Sequence, residues 1–451
     1  SRIMKHVQFI LILLVFNLTG IQAQQLLSKE AALSLTLENN FGIQMTRNVN
    51  EINKNNSELL NSGFLPNVAL SGGSNFTASD SEIAFPGQFL EDGTPRPSVN
   101  LNDQEAQRYN AGINLNYTLF DGLGRKFTYK RLKEQYALSE LQLRETIEQT
   151  ILQLFSVYFE VARLTETTAN FKQTLVVSKQ RQQRAETAFA FGQINKLAVL
   201  NAQVDVTNDS INLLQANQQL DNAKRDLNLI INQPIETDLI VETNLNFIPE
   251  IQIEQWLQTA SQFNVSLLQQ QSNSQINAYD LKVSQSGYLP TLGLNGSYGW
   301  NLNQSPASAF FPGTNNTTLS LGLGATLSWN LFDGGRTITQ VKNAKIAVEN
   351  QRIQEEETRL TFERNLRNAQ QSYQNAVKIY SIQSKQVETG TYNFERSQAQ
   401  YRLGSITAIE FRQAQINLRN AQLQRAAAKY QAKLAELNLI QLSGQLLNVE
   451  L

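Results

Sequence analysis

The chain has 451 residues, with 38 Lys and Arg against 39 Asp and Glu, a single His and no Cys. Without cysteine there is neither a disulfide framework nor a lipidated N-terminal Cys. A formal charge of −1 argues against a nucleic-acid partner.

Lys5 and His6 precede an apolar stretch from Val7 to Phe16 and a break through Gly20 to Ala23. This is the pattern of a secretory signal peptide over residues 1–23, and the apolar run is too short for a membrane-spanning helix. Its removal takes away Arg2, Lys5 and His6, so the charge moves from −1 to −3 and the expected mature chain has no His. Ser-His and Cys-His nucleophiles and ordinary zinc sites are then excluded, and no motif clusters carboxylates for acid–base work. No enzyme activity, metal or cofactor is expected. No later run of about 20 apolar residues exists, so any further membrane crossing must be made by strands.

A first repeat is expected over residues 24–231. It opens with a helix from about Ser28 to Asn61, followed by a weak strand from Val68 to Phe76. A clear strand then sets Tyr109, Ala111, Ile113, Leu115, Tyr117 and Leu119 against Asn110, Gly112, Asn114, Asn116 and Thr118. Residues 79–106 between them read as an outward loop. Leu119-Phe120-Asp121-Gly122 marks a strand-to-helix turn at Asp121 and Gly122. From Arg125 to Phe189 there is no Gly or Pro, and Tyr136, Leu143, Ile147, Ile151, Leu154, Tyr158 and Val161 fall three, four and seven apart. A coiled-coil helix of about 100 Å follows from 1.5 Å per residue. The loop Phe191-Gly192-Gln193 and a helix to about Ile231 complete the repeat, and residues 232–250 read as a linker.

Residues 251–451 repeat the plan. A helix is expected over Ile251–Ser286, a strand from Leu292 to Leu302, a loop at 303–317 and a strand from Leu319 to Leu331. Leu331-Phe332-Asp333-Gly334 restates the first turn at an offset of 212 residues, placing the second strand-to-helix turn at Asp333 and Gly334. Leu403-Gly404-Ser405 follows Phe191-Gly192-Gln193 at the same 212, and a last helix runs to about Leu442. Outside that span the offsets drift: Phe64-Leu65-Pro66 recurs as Tyr288-Leu289-Pro290 at 224, and Leu227-Asn228-Leu229-Ile230 as Leu437-Asn438-Leu439-Ile440 at 210. A rigid element of fixed length must occupy the middle of each repeat.

The three clear strands carry only Asn, Ser, Thr and Gly on the polar side, where a soluble sheet would carry charge and a covering layer. Tyr109, Tyr117, Trp300 and Trp329 near strand ends suit an interfacial girdle. A membrane barrel therefore explains these strands better than a soluble sheet. Four strands cannot close a barrel and open edges are forbidden in hydrocarbon, so several chains must share one; three chains give twelve strands. The fold class is mainly α with a membrane β-barrel, duplicated in tandem. Rival readings are a structural coiled-coil envelope or filament protein, an envelope enzyme with a carboxylate pair, and a pore-forming toxin. None accounts for two strand pairs in a duplicated chain.

The order helix, strand, strand, Leu-Phe-Asp-Gly, long helix, glycine loop, helix, given twice, resembles the TolC outer-membrane factor family over essentially the whole expected mature chain. The resemblance implies a homotrimer whose twelve-stranded barrel, set in outer-membrane lipid, continues into a helical barrel in the periplasm. It implies a duct of a tripartite efflux or type I secretion system, docked on a periplasmic adaptor and an inner-membrane pump, with cargo unspecified. By the same resemblance Phe191, Gly192, Gln193, Leu403, Gly404 and Ser405 are the adaptor-docking tips, and Tyr401, Glu410 and Gln413 belong to the periplasmic aperture. One acidic ring position holds Glu410 and the other holds the neutral Gln413. Ile406 and Ala198 stand where the family's gate has charges, so any closure must use other contacts.

Overall fold

The computed structural model describes residues 25–307 and 312–449. The expected signal peptide at 1–23 lies outside the described residues, as do residues 308–311 of the expected loop 303–317. In chain order the elements are β1 (Gln25–Leu27), α1 (Lys29–Asn39), α2 (Phe41–Asn56), β2 (Asn67–Ile83), β3 (Val99–Asp121), α3 (Gly124–Ala190) and α4 (Lys196–Ile230). They continue as β4 (Leu239–Val241), α5 (Glu250–Phe263), α6 (Val265–Ser286), β5 (Thr291–Ser305), β6 (Thr314–Ser328), α7 (Arg336–Arg402) and α8 (Ala408–Leu442). The chain divides into two compact units. Among the described residues, one comprises those up to Glu51, Leu138–Gln271 and those from Gln354 onward; the other comprises those within Ile52–Ala137 and Ser272–Ile353.

The first unit is helical. Each repeat contributes to it most of one 67-residue helix, α3 or α7, and one helix of 35, α4 or α8. Its main core gathers around Phe155, Tyr158 and Phe159 of α3, with Leu227 of α4 and Tyr430 and Leu437 of α8. A short parallel pair crosses it, β1 on β4. Tyr158 fixes that pair: its hydroxyl donates to the Leu27 carbonyl at 2.7 Å and accepts from the Glu242 amide at 3.0 Å. The stretch expected as a plain linker thus contains β4. Burial of this phenol pushes its pKa up to about 12, so it stays a neutral donor.

Two helices expected as single pieces are each broken. At Asn40 and at Asn264 the backbone turns extended, and the side chain starts a new helix as its cap. Asn40 Oδ1 accepts from the Gly42 and Ile43 amides at 2.9 and 3.2 Å, and Asn264 Oδ1 from Ser266 and Leu267 at 3.1 and 3.3 Å. Their Nδ2 groups donate to the carbonyls of Ile230 and Leu442, which end α4 and α8. One asparagine per repeat therefore breaks a helix and closes another.

The second unit holds an antiparallel sheet in the order β2-β3-β5-β6. Asn67, Asn116, Asn295 and Gly324 form one cross-strand row, and Leu70, Ile113, Tyr298 and Leu321 form another on the opposite face. Polar side chains meet on the first face, where Asn114 Nδ2 donates to Ser71 Oγ at 3.2 Å. The apolar band on β5, from Leu292 to Leu302, spans ten steps. At ~3.3 Å per residue and a tilt of ~40° that is about 25 Å of height, the apolar belt of a membrane barrel. The outer strands β2 and β6 have one neighbour each. Among the described residues no helix is long and apolar enough to cross a membrane.

The strands measure 17, 23, 15 and 15 residues, longer than the nine, eleven, eleven and thirteen expected. The alternation marks only the lipid-facing band, whereas the β2–β3 ladder continues through Ser79, Glu82, Asn100 and Gln104. A bulge between Ser79 and Ser81 bends it, and the Asp103 amide, at φ 53°, donates to Asp80 Oδ1 at 2.8 Å. The loop expected over 79–106 shrinks accordingly to 84–98. At the other end β6 stops at Ser328, before Leu331, and Trp329 turns its Nε1 to the Tyr288 carbonyl at 3.1 Å.

Each sheet pair hands the chain to a long helix through its Asp-Gly turn. Asp121 Oδ2 accepts from the Arg125 amide at 2.9 Å, and Asp333 Oδ2 from the Thr337 amide and hydroxyl at 3.0 and 2.6 Å. Both carboxylates satisfy otherwise unpaired donors in the first turn of a helix. Gly122 and Gly334 have φ of 69° and 73°, which side chains rarely adopt.

Candidate docking and aperture site

In the first unit α3 and α4, and again α7 and α8, meet at glycine turns. Gly192 and Gly404 have φ of 72° and 76°. Each closes its helix by the same paired bonds: Gln193 N to Ala188 O and Gly192 N to Phe189 O, then Ser405 N to Gln400 O and Gly404 N to Tyr401 O. This is the Schellman arrangement, which satisfies the last helical carbonyls. The next helices open on Asn195, whose Oδ1 accepts from Ala198 N at 3.1 Å, and on Thr407, whose Oγ1 accepts from Glu410 N at 3.2 Å. With the ends of the incoming helices closed by backbone bonds and the next helices capped, apolar side chains are left outward: Phe191 is 77% and Leu403 82% exposed. Gln193 and Ser405 are exposed beside them.

A groove of about 710 Å³ lies at these tips, lined in part by Arg181, Ala198, Tyr401, Ile406, Arg412 and Gln413. Tyr401 lies flat on Phe411, with ring centroids 4.9 Å apart, and the Arg184 guanidinium sits 5.1 Å from its ring. Arg184 also donates to the Arg402 carbonyl at 2.9 Å. Gln413 is exposed and donates to Asn417, one turn along α8, at 2.8 Å. Glu410 is turned elsewhere. Its Oε2 accepts from the Thr407 amide at 2.8 Å and hydroxyl at 2.9 Å, completing a capping box at the start of α8. Those backbone and side-chain bonds hold its carboxyl below the usual range, so it is anionic at neutral pH. Tyr401 and Gln413 thus share the groove, while Glu410 lies beyond its lining.

Sequence reasoning missed a charged cluster beside the groove. Asp209 of α4 is fully buried. Its Oδ2 accepts from Ser178 Oγ at 2.6 Å and Arg412 Nη1 at 2.7 Å, and its Oδ1 accepts from Arg412 Nη2 at 2.9 Å. Arg419 Nη1 lies 3.5 Å away on the same Oδ1. Asp205, one turn earlier, pairs with Arg181 of α3 and stands 3.5 Å from Arg412 Nε. Gln415 Nε2 ties α8 to the Thr174 carbonyl at 3.0 Å. Burial pushes the Asp209 carboxyl upward, but bonds from Arg412 and Ser178 and the charges of Arg412 and Arg419 outweigh it and leave it lowered. The i, i+4 spacing of Asp205 and Asp209 and the i, i+7 spacing of Arg412 and Arg419 each put two like charges on one helix face. That spacing was visible; the pairing of α4 with α8, across about 200 residues, was not.

The profile of the outer membrane efflux protein family matches residues 32–233 and 256–445. The chain is 24% identical over 358 residues to the outer membrane protein TolC of Escherichia coli K12, covering 77% of this chain and 71% of that protein. It is likewise 24% identical over 352 residues to TolC of Salmonella enteritidis, at 76% and 70% coverage. The fold is similar to the Campylobacter jejuni CmeC outer membrane channel, with TM-score 0.74, 16% identity and 93% and 86% of the two chains covered. It is also similar to the Vibrio cholerae outer membrane protein VceC, with TM-score 0.71, 15% identity and 92% and 96% covered. Duplicated long helices, an open four-stranded membrane sheet and a match across both repeats agree: the chain belongs to the outer membrane efflux protein family, a channel of the bacterial outer membrane that extends into the periplasm and is not an enzyme.

Proposed function

We propose that three copies close one twelve-stranded barrel and form a passive conduit, fed from the periplasmic side through the tips at Gly192 and Gly404. Channels of this family work as homotrimers with an adaptor and a pump. The adaptor seats on Phe191 and Leu403, with Gln193 and Ser405 at the rim. The observation that carries this is the pair of glycine turns closed by the same backbone bonds, 212 residues apart, each leaving a large apolar side chain outward. Such residues gain little from this chain's own packing and much from a partner's groove.

Tyr401, Glu410 and Gln413 are assigned to the aperture. One Glu410 per chain would set three carboxylates around the trimer axis and favour cations. With Ile406 and Ala198 in place of the family's gate charges, closure falls to the cluster of Arg181, Asp205, Asp209 and Arg412, which ties α8 to α3 and α4. The domain plan follows the same reading: a signal peptide at 1–23, repeats at 24–231 and 251–451, and the connection at 232–250.

The test pairs Phe191→Asp with Leu403→Asp. The double variant should reach the outer membrane as a trimer by light scattering in detergent, yet fail to restore export in cells lacking the native protein. Full export with both charges in place would overturn tip docking. A detergent-independent monomer would overturn the shared barrel and revive the filament reading.

A further inference from the structure

We propose that Arg108 forms a ring of positive charge inside the barrel near its outer mouth and biases passage there toward anionic solutes. The inference rests on the reading that three chains close one barrel.

Arg108 lies on β3, two residues beyond Asn110 and thus on the same face as Asn110, Gly112, Asn114 and Asn116. This is the face opposite the apolar band, and in a membrane barrel it lines the lumen. Its cross-strand row is Asn75, Arg108, Asn303, Asn316. Over β2 from Asn67 to Ser79, β3 from Gln104 to Thr118, and all of β5 and β6, every other residue on this face is uncharged. Arg108 is exposed, and among the described residues its guanidinium has no ion pair. Glu105 falls on the other face, and Asp103 lies five residues on, about 16 Å along a strand. That exceeds the ~8 Å Debye length at physiological salt, so these acids leave the charge uncancelled.

Magnitude decides whether three such charges matter in a wide duct. Twelve strands ~4.8 Å apart and tilted ~40° enclose a backbone cylinder of roughly 12 Å radius. A guanidinium reaching inward from that wall stands within about one Debye length of the axis. A solute on the axis therefore meets the field of all three arginines at once, with a neutral amide wall on either side. Rings of Arg or Lys in pores select anions.

The absence of cysteine supplies a clean probe. Asn110→Cys places one thiol per chain on the lumen face, next to Arg108 in the row below. In detergent-solubilised trimers the modification rates with an anionic and a cationic methanethiosulfonate of equal size are compared, with and without Arg108→Gln. The anion-to-cation rate ratio should fall roughly threefold at about 0.15 M salt when the charge is removed, more at lower salt, and recover in Arg108→Lys. An unchanged ratio in variants that remain trimeric overturns the proposal. A thiol that neither reagent reaches overturns the lumen placement and the proposal with it, whereas loss of the trimer in the Asn110→Cys parent would overturn the shared barrel itself.

Discussion

Replacing Asp209 by Asn should loosen the tip while leaving its shape intact. The amide keeps the volume and can still accept from Ser178, but it removes the charge that Arg412 and Arg419 share. Those side chains are only 13% and 15% exposed, so water does little to replace it. Breaking one partner out of a buried ion pair costs about 3 kcal/mol or more, which is about a hundredfold in a local opening constant. The cluster spans few residues of a large protein, so the loss should register as local opening. Hydrogen exchange by mass spectrometry on the trimer is the assay, with fragments covering 174–185 and 405–420 expected to exchange up to a hundredfold faster. Asp209→Leu with Arg412→Met and Arg419→Met, an apolar set of similar volume, should recover much of the protection. The pH sign follows from the lowered Asp209 pKa: the stabilisation is present above the ordinary carboxylate value of 3.8 and is lost only as pH falls through the still lower folded value. Corrected for intrinsic rates, protection at pH 5 should equal that at pH 7.5. Unchanged exchange in Asp209→Asn would refute the clasp, and a fall in protection between pH 7.5 and pH 5 would refute the charge assignment.

Other consequences are equally direct. Thr407→Ala removes the cap that orients Glu410 and should cost α8 about 1 kcal/mol, read as faster exchange confined to its first turn. Glu410→Gln should weaken cation preference in planar-bilayer reversal potentials, and an unmoved potential removes Glu410 from the aperture. Gly122→Ala should be far worse than Gly334→Ala: both have positive φ, but a Cβ at 122 would run into the Ser286 carbonyl and Leu289, while at 334 it meets nothing. Gly334→Ala should cost about 1 kcal/mol of backbone strain, and Gly122→Ala visibly more in the temperature at which the trimer dissociates on gels. Asn264→Ala strips the cap of α6 and the bond to Leu442, and should lower thermal stability by about 2 kcal/mol.

The long helices and their turns were legible because each is specified locally. In α3 a 65-residue span without Gly or Pro leaves little alternative to helix, α7 keeps the same length around Gly390, and Gly192 and Gly404 stop the two helices where a left-handed residue is needed. The sheet was legible through alternation, but only across the lipid-facing band; beyond it the ladder is held by backbone bonds that polar sequence does not advertise. Asn40 and Asn264 escaped notice because one Asn in a polar helix reads as a surface residue, and only the carbonyls of Ile230 and Leu442 turn it into a corner. The turns that carry Phe191 and Leu403 could be located from their repetition, whereas the capping role of Glu410 is written in Thr407 three residues before it and was passed over.

The clasp was hidden for a different reason, which bears on how the channel works. Every charged member of the cluster stands where the other repeat has a neutral residue at the 212-residue offset. Arg181 corresponds to Asn393, Asp205 to Asn417, Asp209 to Ala421, Arg412 to Leu200 and Arg419 to Thr207. Comparison of the repeats finds what they share, and what they share is scaffold: helices of 67 and 35 residues and two glycine turns closed by the same bonds. A symmetric pair of helical hairpins would have no preferred way to lean. Complementary charges placed on opposite repeats give α8 a specific seat on α3 and α4, with the acids on the first repeat and two of the three arginines on the second. If the tip opens by moving one hairpin against the other, the moving seam is the one held by residues the duplication does not share. Swapping the charges, with Asp209→Arg and Arg412→Asp together, should then restore more of the exchange protection than either single change retains; equal loss in all three would show that the seam is held by packing alone.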